Sequence, residues 1–159
     1  MTDLKKKLSP NFTLGELVTT SHRTIDNTPN NSVIDQLTIL CVNYLEPVRT
    51  VFGSIRVNSG FRCPELNTVI GGSKTSAHMY GCAVDFVPFD SKHKLQDVVN
   101  WIIEESGMPY DQVILESSST ANWIHLGMRK PDQQSPRKEN LRFYHGTYSV
   151  YDKKIDYGV

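Results

Sequence analysis

The chain has 159 residues, and its 17 lysines and arginines are matched by 17 aspartates and glutamates, so the formal net charge is zero. That balance removes any electrostatic case for nucleic acid or an anionic membrane surface, and no apolar run approaches the ~20 residues of a membrane span. The length suits one domain with a proper core, spanning residues 1–159.

Residues 1–7 are rich in lysine and are expected to be flexible; no apolar segment follows them, so no secretory signal peptide is read and synthesis in the cytoplasm is expected. In Leu8–Leu17, Thr13 can cap a short helix, with Glu16 three residues on completing a capping box. Ser21–Asn31 is polar and reads as a loop. From Ser32 to Phe52, Val33, Leu37, Leu40, Cys41, Tyr44, Leu45 and Val48 recur at helical spacing, and Pro47 is expected to kink or divide that helix. Gly53 ends it, and Ile55–Asn58 is a short strand. Pro64–Ile70 starts as a helix with proline at an early position, and Gly71-Gly72-Ser73 turns out of it. No phosphate-binding fingerprint surrounds that glycine pair.

Cys82–Val87 is apolar and partly β-branched, which suits a strand. Ser91–Glu105 is an amphipathic helix with Leu95, Val98, Val99, Ile102 and Ile103 on its core face. Two more strands follow, Asp111–Glu116 and Ala121–Met128, with Ser117–Thr120 as a hairpin loop. After Met128 the chain is polar to Asn140. Leu141–Tyr151 is aromatic and suits an edge strand, a cleft wall or a contact with another chain. Residues 129–159 are expected to pack as an extension of the same domain. This order predicts an α+β fold with a small, mainly antiparallel sheet backed by helices.

One carboxylate breaks the first apolar strand. Asp85 lies between Val84 and Phe86, and a carboxylate there is costly without a cation, a metal or hydrogen bonds. His78 lies just beyond the turn at Gly81 and can fold back toward it. A third polar side chain interrupts the later strand at His125, beside the small Gly127. Three protein ligands with one open position make a catalytic zinc site, and His78, Asp85 and His125 fit that set. His22, His93 and His145 lie in polar or charged surroundings and rank below them. If the two later strands pair antiparallel, Glu116 lies close to His125 and can handle protons. Competing readings are a core histidine held by hydrogen bonds and a thiolate site using Cys82. The three cysteines have no framework spacing, so free thiols in a reducing compartment are the simplest reading, with a Cys63–Cys82 disulfide left open.

Ser59-Gly60-Phe61-Arg62, Leu66-Asn67, Gly71-Gly72, Ser76-Ala77-His78, Gly81-Cys82-Ala83-Val84-Asp85 and Trp123-Ile124-His125 together resemble the zinc D-alanyl-D-alanine carboxypeptidase family, whose fold is shared with the hedgehog signalling domain. The resemblance is closest to small phage and bacterial members and runs from about Leu8 to Met128. It implies one Zn²⁺ on His78, Asp85 and His125, Glu116 as the catalytic carboxylate, Arg62 in contact with the substrate or its transition state, and Ser76 in the substrate site. Many relatives carry a second histidine two residues before the last ligand, where this chain has Trp123. The implied partner is a peptidoglycan stem peptide, and the implied place of action is the bacterial cell wall. The alternative is a zinc-stabilised binding module or a phage particle component that docks on the wall without turnover.

Overall fold

The computed structural model describes residues 2–159, and its first helix already shows local chemistry at work. α1 (Leu14–Val18) is entered through a capping box: Thr13 Oγ1 accepts from Glu16 N at 3.4 Å, and Glu16 Oε2 accepts from Thr13 N at 2.8 Å. The end expected to be flexible includes residue 1, which lies outside the described residues. Leu4 O and Lys6 O accept from Gly15 N and Leu14 N, both at 2.9 Å, so this stretch has specific partners beside α1.

The helical spacing after Asn31 forms one long helix in three segments. These are α2 (Asn31–Leu40), a π-helical turn (Cys41–Leu45) and α3 (Glu46–Phe52). The helix continues past Pro47. A proline has no N–H and its ring crowds the carbonyl four residues back. Here the wider turn precedes it, with Glu46 N donating to Cys41 O five residues back, and Pro47 falls in the first turn of α3. Leu37, Leu40, Leu45 and Val48 are fully buried along this helix.

Among the described residues, six strands form one sheet: β1 (Ile55–Ser59), β2 (Ala83–Pro88), β3 (Tyr110–Ser117), β4 (Asn122–Met128), β5 (Glu139–Tyr144) and β6 (Thr147–Val150). Their order across the sheet is β1-β2-β4-β3-β5-β6. Every neighbouring pair is antiparallel except β3 with β5. Two further helices complete the chain, α4 (Pro64–Val69) and α5 (Leu95–Glu104). α5 starts later than the periodicity suggests, because Asp97 Oδ2 accepts from Lys94 N at 3.2 Å and fixes the helix start there. The result is the α+β arrangement the sequence predicts.

Alternation along the strands separates two faces. Val84, Phe86, Val113, Leu115, Ile124 and Leu126 are fully buried and join Val98, Val99 and Ile102 of α5 and the long helix in one core. Asp85, His125, Ile114, Leu141 and Val150 pair across the strands in one row on the opposite face. Each large core side chain is worth ~1.5–3 kcal/mol. A one-residue slip of β2 would exchange Phe86 for Asp85, so the core fixes which way Asp85 points.

The C-terminal extension adds β5 and β6 to this sheet. The segment Leu141–Tyr151 contains two strands rather than one, joined by a two-residue turn at His145-Gly146 with φ of 45° and 83°. β6 is the exposed edge. The loop before β5 is held by buried Asp111, which accepts from Arg137 N at 2.8 Å, Nε at 3.0 Å and Nη2 at 2.7 Å. All three cysteines are free thiols, and Cys63 Sγ accepts from Leu66 N at 3.4 Å at the start of α4.

Candidate metal centre

Asp85 and His125 are register partners on the adjacent strands β2 and β4. His78 comes from a 3₁₀ turn, Ala77–Tyr80, that precedes β2. Ser76 Oγ accepts from His78 N at 3.3 Å at the head of this turn. Gly81 ends it with φ 70°, and a Cβ there would sit 2.8 Å from Val33 O, so the turn that returns His78 over β2 requires glycine.

The three side chains converge on one point. His78 Nε2 lies 3.3 Å from Asp85 Oδ1 and 3.2 Å from His125 Nδ1, and His125 Nδ1 lies 2.9 Å from Asp85 Oδ1. A tetrahedral ion with bonds of about 2.0–2.1 Å has ligands about 3.3 Å apart, so this triangle is the size of one face of a zinc coordination shell. His78 Nδ1 donates to Gly60 O at 2.7 Å, which leaves Nε2 with its lone pair facing the trio. Arg62 Nη2 donates to Asp85 Oδ2 at 2.7 Å, and Arg62 Nε donates to Ser59 Oγ at 2.9 Å. Both imidazole and carboxylate are therefore oriented from behind, as metal ligands are. The donor set, the spacing and the outer hydrogen bonds all fit a zinc ion. All three residues are buried.

The electrostatics agree with this arrangement. Burial lowers the pKa of the His78 imidazole against the opposing pull of Asp85, which favours the neutral form that can bind a metal. Burial opposes charge on Asp85, but the charge and hydrogen bonds that His78 and His125 offer when protonated outweigh it and hold the carboxyl well below the usual carboxylate range. Glu116 behaves in the opposite way. Burial, and then the charge of Asp85, push its carboxyl up to about 7. Glu116 lies on β3 opposite Trp123, one step along the sheet face from His125.

These groups open into one cleft of about 690 Å³, whose lining includes Arg62, Ser76, His78, Asp85, Glu116 and His125. All six candidate residues read from the sequence are thus brought together. Of the histidines ranked lower, His93 packs edge-on against Phe52, and His145 sits in the β5–β6 turn against Tyr144. The cleft also contains residues the sequence reading did not select: Lys130, Gln133, Arg137, Glu139 and Tyr148 from the C-terminal extension, and Gln112 of β3. The one sequence signal for them is the aromatic run that contains Tyr148.

A model of the peptidase M15 family matches residues 10–126. The chain belongs to the peptidase M15 family. M15 peptidases are zinc enzymes, and the trio that could hold the ion, together with Glu116 and Arg62, lies within the matched span of this M15 chain. The extension of the M15 chain beyond residue 126 lies outside the match. A search of curated proteins found no match to it. Among the described residues no helix is long and apolar enough to cross a membrane.

Proposed function

We propose that the protein is a zinc metallopeptidase that hydrolyses peptide bonds in peptidoglycan stem peptides, with one Zn²⁺ per chain held by His78, Asp85 and His125. The observation that carries this reading is the His78–Asp85–His125 triangle, which has the size of one face of a zinc shell, with the carboxyl of Glu116 in the same cleft. Zinc held by these three residues would supply a Lewis acid and make a nearby water more acidic. Glu116 would take the proton from the attacking water and return it to the leaving amine. Arg62 holds Asp85 in place through Nη2 and lines the cleft, where its charge can stabilise charge developing on the substrate carbonyl. Ser76 holds the turn that carries His78 and borders the substrate site. The place of action proposed is the bacterial cell wall.

A binding module needs a metal site but has no use for a free carboxyl and an arginine beside it in an open cleft, so the peptidase reading is preferred. Metal analysis of the purified protein, beside digestion of purified peptidoglycan with mass spectrometry of the products, tests it. About one zinc per chain with cut stem peptides is expected. One zinc with no products from several wall types would favour the module, and no zinc after reconstitution would remove the His78–Asp85–His125 site.

A further inference from the structure

The cleft carries three lysine and arginine side chains, and two of them face carboxylates. Arg62 is 2.7 Å from Asp85 Oδ2. Arg137 is 2.7 Å from Asp111 Oδ2 and 3.0 Å from Glu139 Oε2. Lys130 has no carboxylate within salt-bridge distance among the described residues. Its Nζ donates to the backbone carbonyl of Thr75 at 3.1 Å and lies 5.5 Å from the centre of the Tyr80 ring. An ammonium has three donors, and Thr75 O takes one of them. The half-buried side chain is therefore held at a fixed place on the cleft wall with donors and a full charge to offer.

Its location bears on what it can recognise. Lys130 follows β4, five residues after His125, and Thr75 comes three residues before His78. The two segments that deliver the histidines therefore run on into a contact that bridges the cleft at the β4 C-terminal end. Lys130 also lies beyond the span matched by the family model, so it belongs to this chain's own extension. Gln133, another cleft residue, accepts from Lys130 N at 2.7 Å through Oε1 and fixes the backbone from which the side chain reaches across.

Resting on the peptidase reading, we propose that Lys130 is a specificity residue that receives a substrate carboxylate in the cleft that holds the metal-ligand trio. Such a carboxylate has two possible sources in a stem peptide: the free end of the peptide, or the carboxyl of an internal acidic or diamino-acid residue. The first makes the enzyme an exopeptidase and the second lets it cut within the chain. Charge-assisted hydrogen bonds to an ammonium discriminate strongly against a neutral amide in the same place.

Titration calorimetry on the zinc-loaded Glu116→Gln protein, which binds without turnover, tests this with three synthetic stem peptides: one with all carboxylates free, one amidated at its C-terminus and one amidated at its internal carboxyls. Lys130→Met in that background should weaken binding of the free peptide about 10- to 100-fold, and Lys130→Arg should recover most of the loss. One amidated peptide should bind weakly from the start and lose nothing further in Lys130→Met, and which one it is names the source. Equal weakening of all three peptides, or no weakening, would overturn the assignment. Binding of no peptide by the Lys130 protein would overturn the peptidase reading, and this inference with it.

Discussion

Gly60 is the position where a single methyl group should reach both the fold and the metal. A Cβ built there would lie 2.2 Å from Leu17 O and 2.9 Å from Leu17 C, and both are backbone atoms that cannot rotate away. The neighbouring Phe61 N donates to the same Leu17 O at 2.7 Å, and Gly60 O accepts from His78 Nδ1 at 2.7 Å. Gly60→Ala must therefore push β1 and α1 apart. Overpacking of this kind costs ~1–3 kcal/mol, and weakening the Phe61 hydrogen bond adds up to ~1 kcal/mol. For a chain of this length each kcal/mol lowers Tm by about 2–4 °C, so a drop of ~2–16 °C is expected for the metal-free protein. Displacing the carbonyl behind His78 should also weaken zinc about 10- to 100-fold, the usual effect of losing an outer partner of a ligand histidine. Calorimetric melting with and without zinc, and competition against a zinc chelator, give both quantities. An unchanged Tm would refute the steric argument. A lowered Tm with unchanged zinc affinity would show that Gly60 O does not hold the His78 ring in its binding orientation.

Three further outcomes are expected. His78→Ala should lose zinc, measured by metal analysis after dialysis, and near-stoichiometric zinc in that variant would remove His78 from the site. Arg62→Ala should keep the fold but leave Asp85 Oδ2 without its 2.7 Å donor, weakening zinc and slowing peptide cleavage; unchanged kinetics and affinity would confine Arg62 to a passive role. Glu116→Gln should retain zinc and lose about 10²–10⁴ in turnover. The same residue makes stability depend on pH. Its carboxyl is raised to about 7 in the folded chain, above the ordinary ~4.3 of an unfolded glutamate. The folded state thus binds the proton more tightly, and this contribution is complete below about 4.3 and lost as pH rises through about 7. Denaturant melts of zinc-free protein at several pH values should show that slope, and Glu116→Gln should flatten it; an identical slope in the variant would assign it to another group.

The trio was legible in the sequence because each member violates a local pattern. Asp85 and His125 interrupt strands whose other residues belong to the core, and strand alternation then places them on the opposite face. The long helix was legible from its spacing, and its division near Pro47 from the proline; the π turn through which it divides was not, because no local residue signal marks one. Gly60 has no side chain, so its carbonyl could not be read as a partner of His78. The C-terminal wall was hidden for a different reason. β5 pairs in parallel with β3, a partner 27 residues back, and no local signal specifies a parallel neighbour. Asp111 reads as an ordinary strand residue until Arg137, 26 positions later, folds onto it. The turn between β5 and β6 uses His145 at φ 45°, where glycine or asparagine would have announced it.

The parallel addition of β5, and β6 beyond it, changes the standing of the strand that carries Glu116. Without them β3 would be the rim of the sheet, with its outer amides and carbonyls facing solvent and free to fray. With them it has a hydrogen-bonded neighbour on each side, and the fraying rim has moved two strands away to β6. Buried Arg142 of β5 reinforces this by donating to Leu115 O at 2.8 Å and Ser117 Oγ at 2.8 Å, the residues on either side of Glu116. The carboxyl proposed as the general base is thereby mounted on an interior, doubly paired strand of the sheet. On that proposal, reorganisation that a rim strand would have to undergo in every catalytic cycle is completed once, when the chain folds.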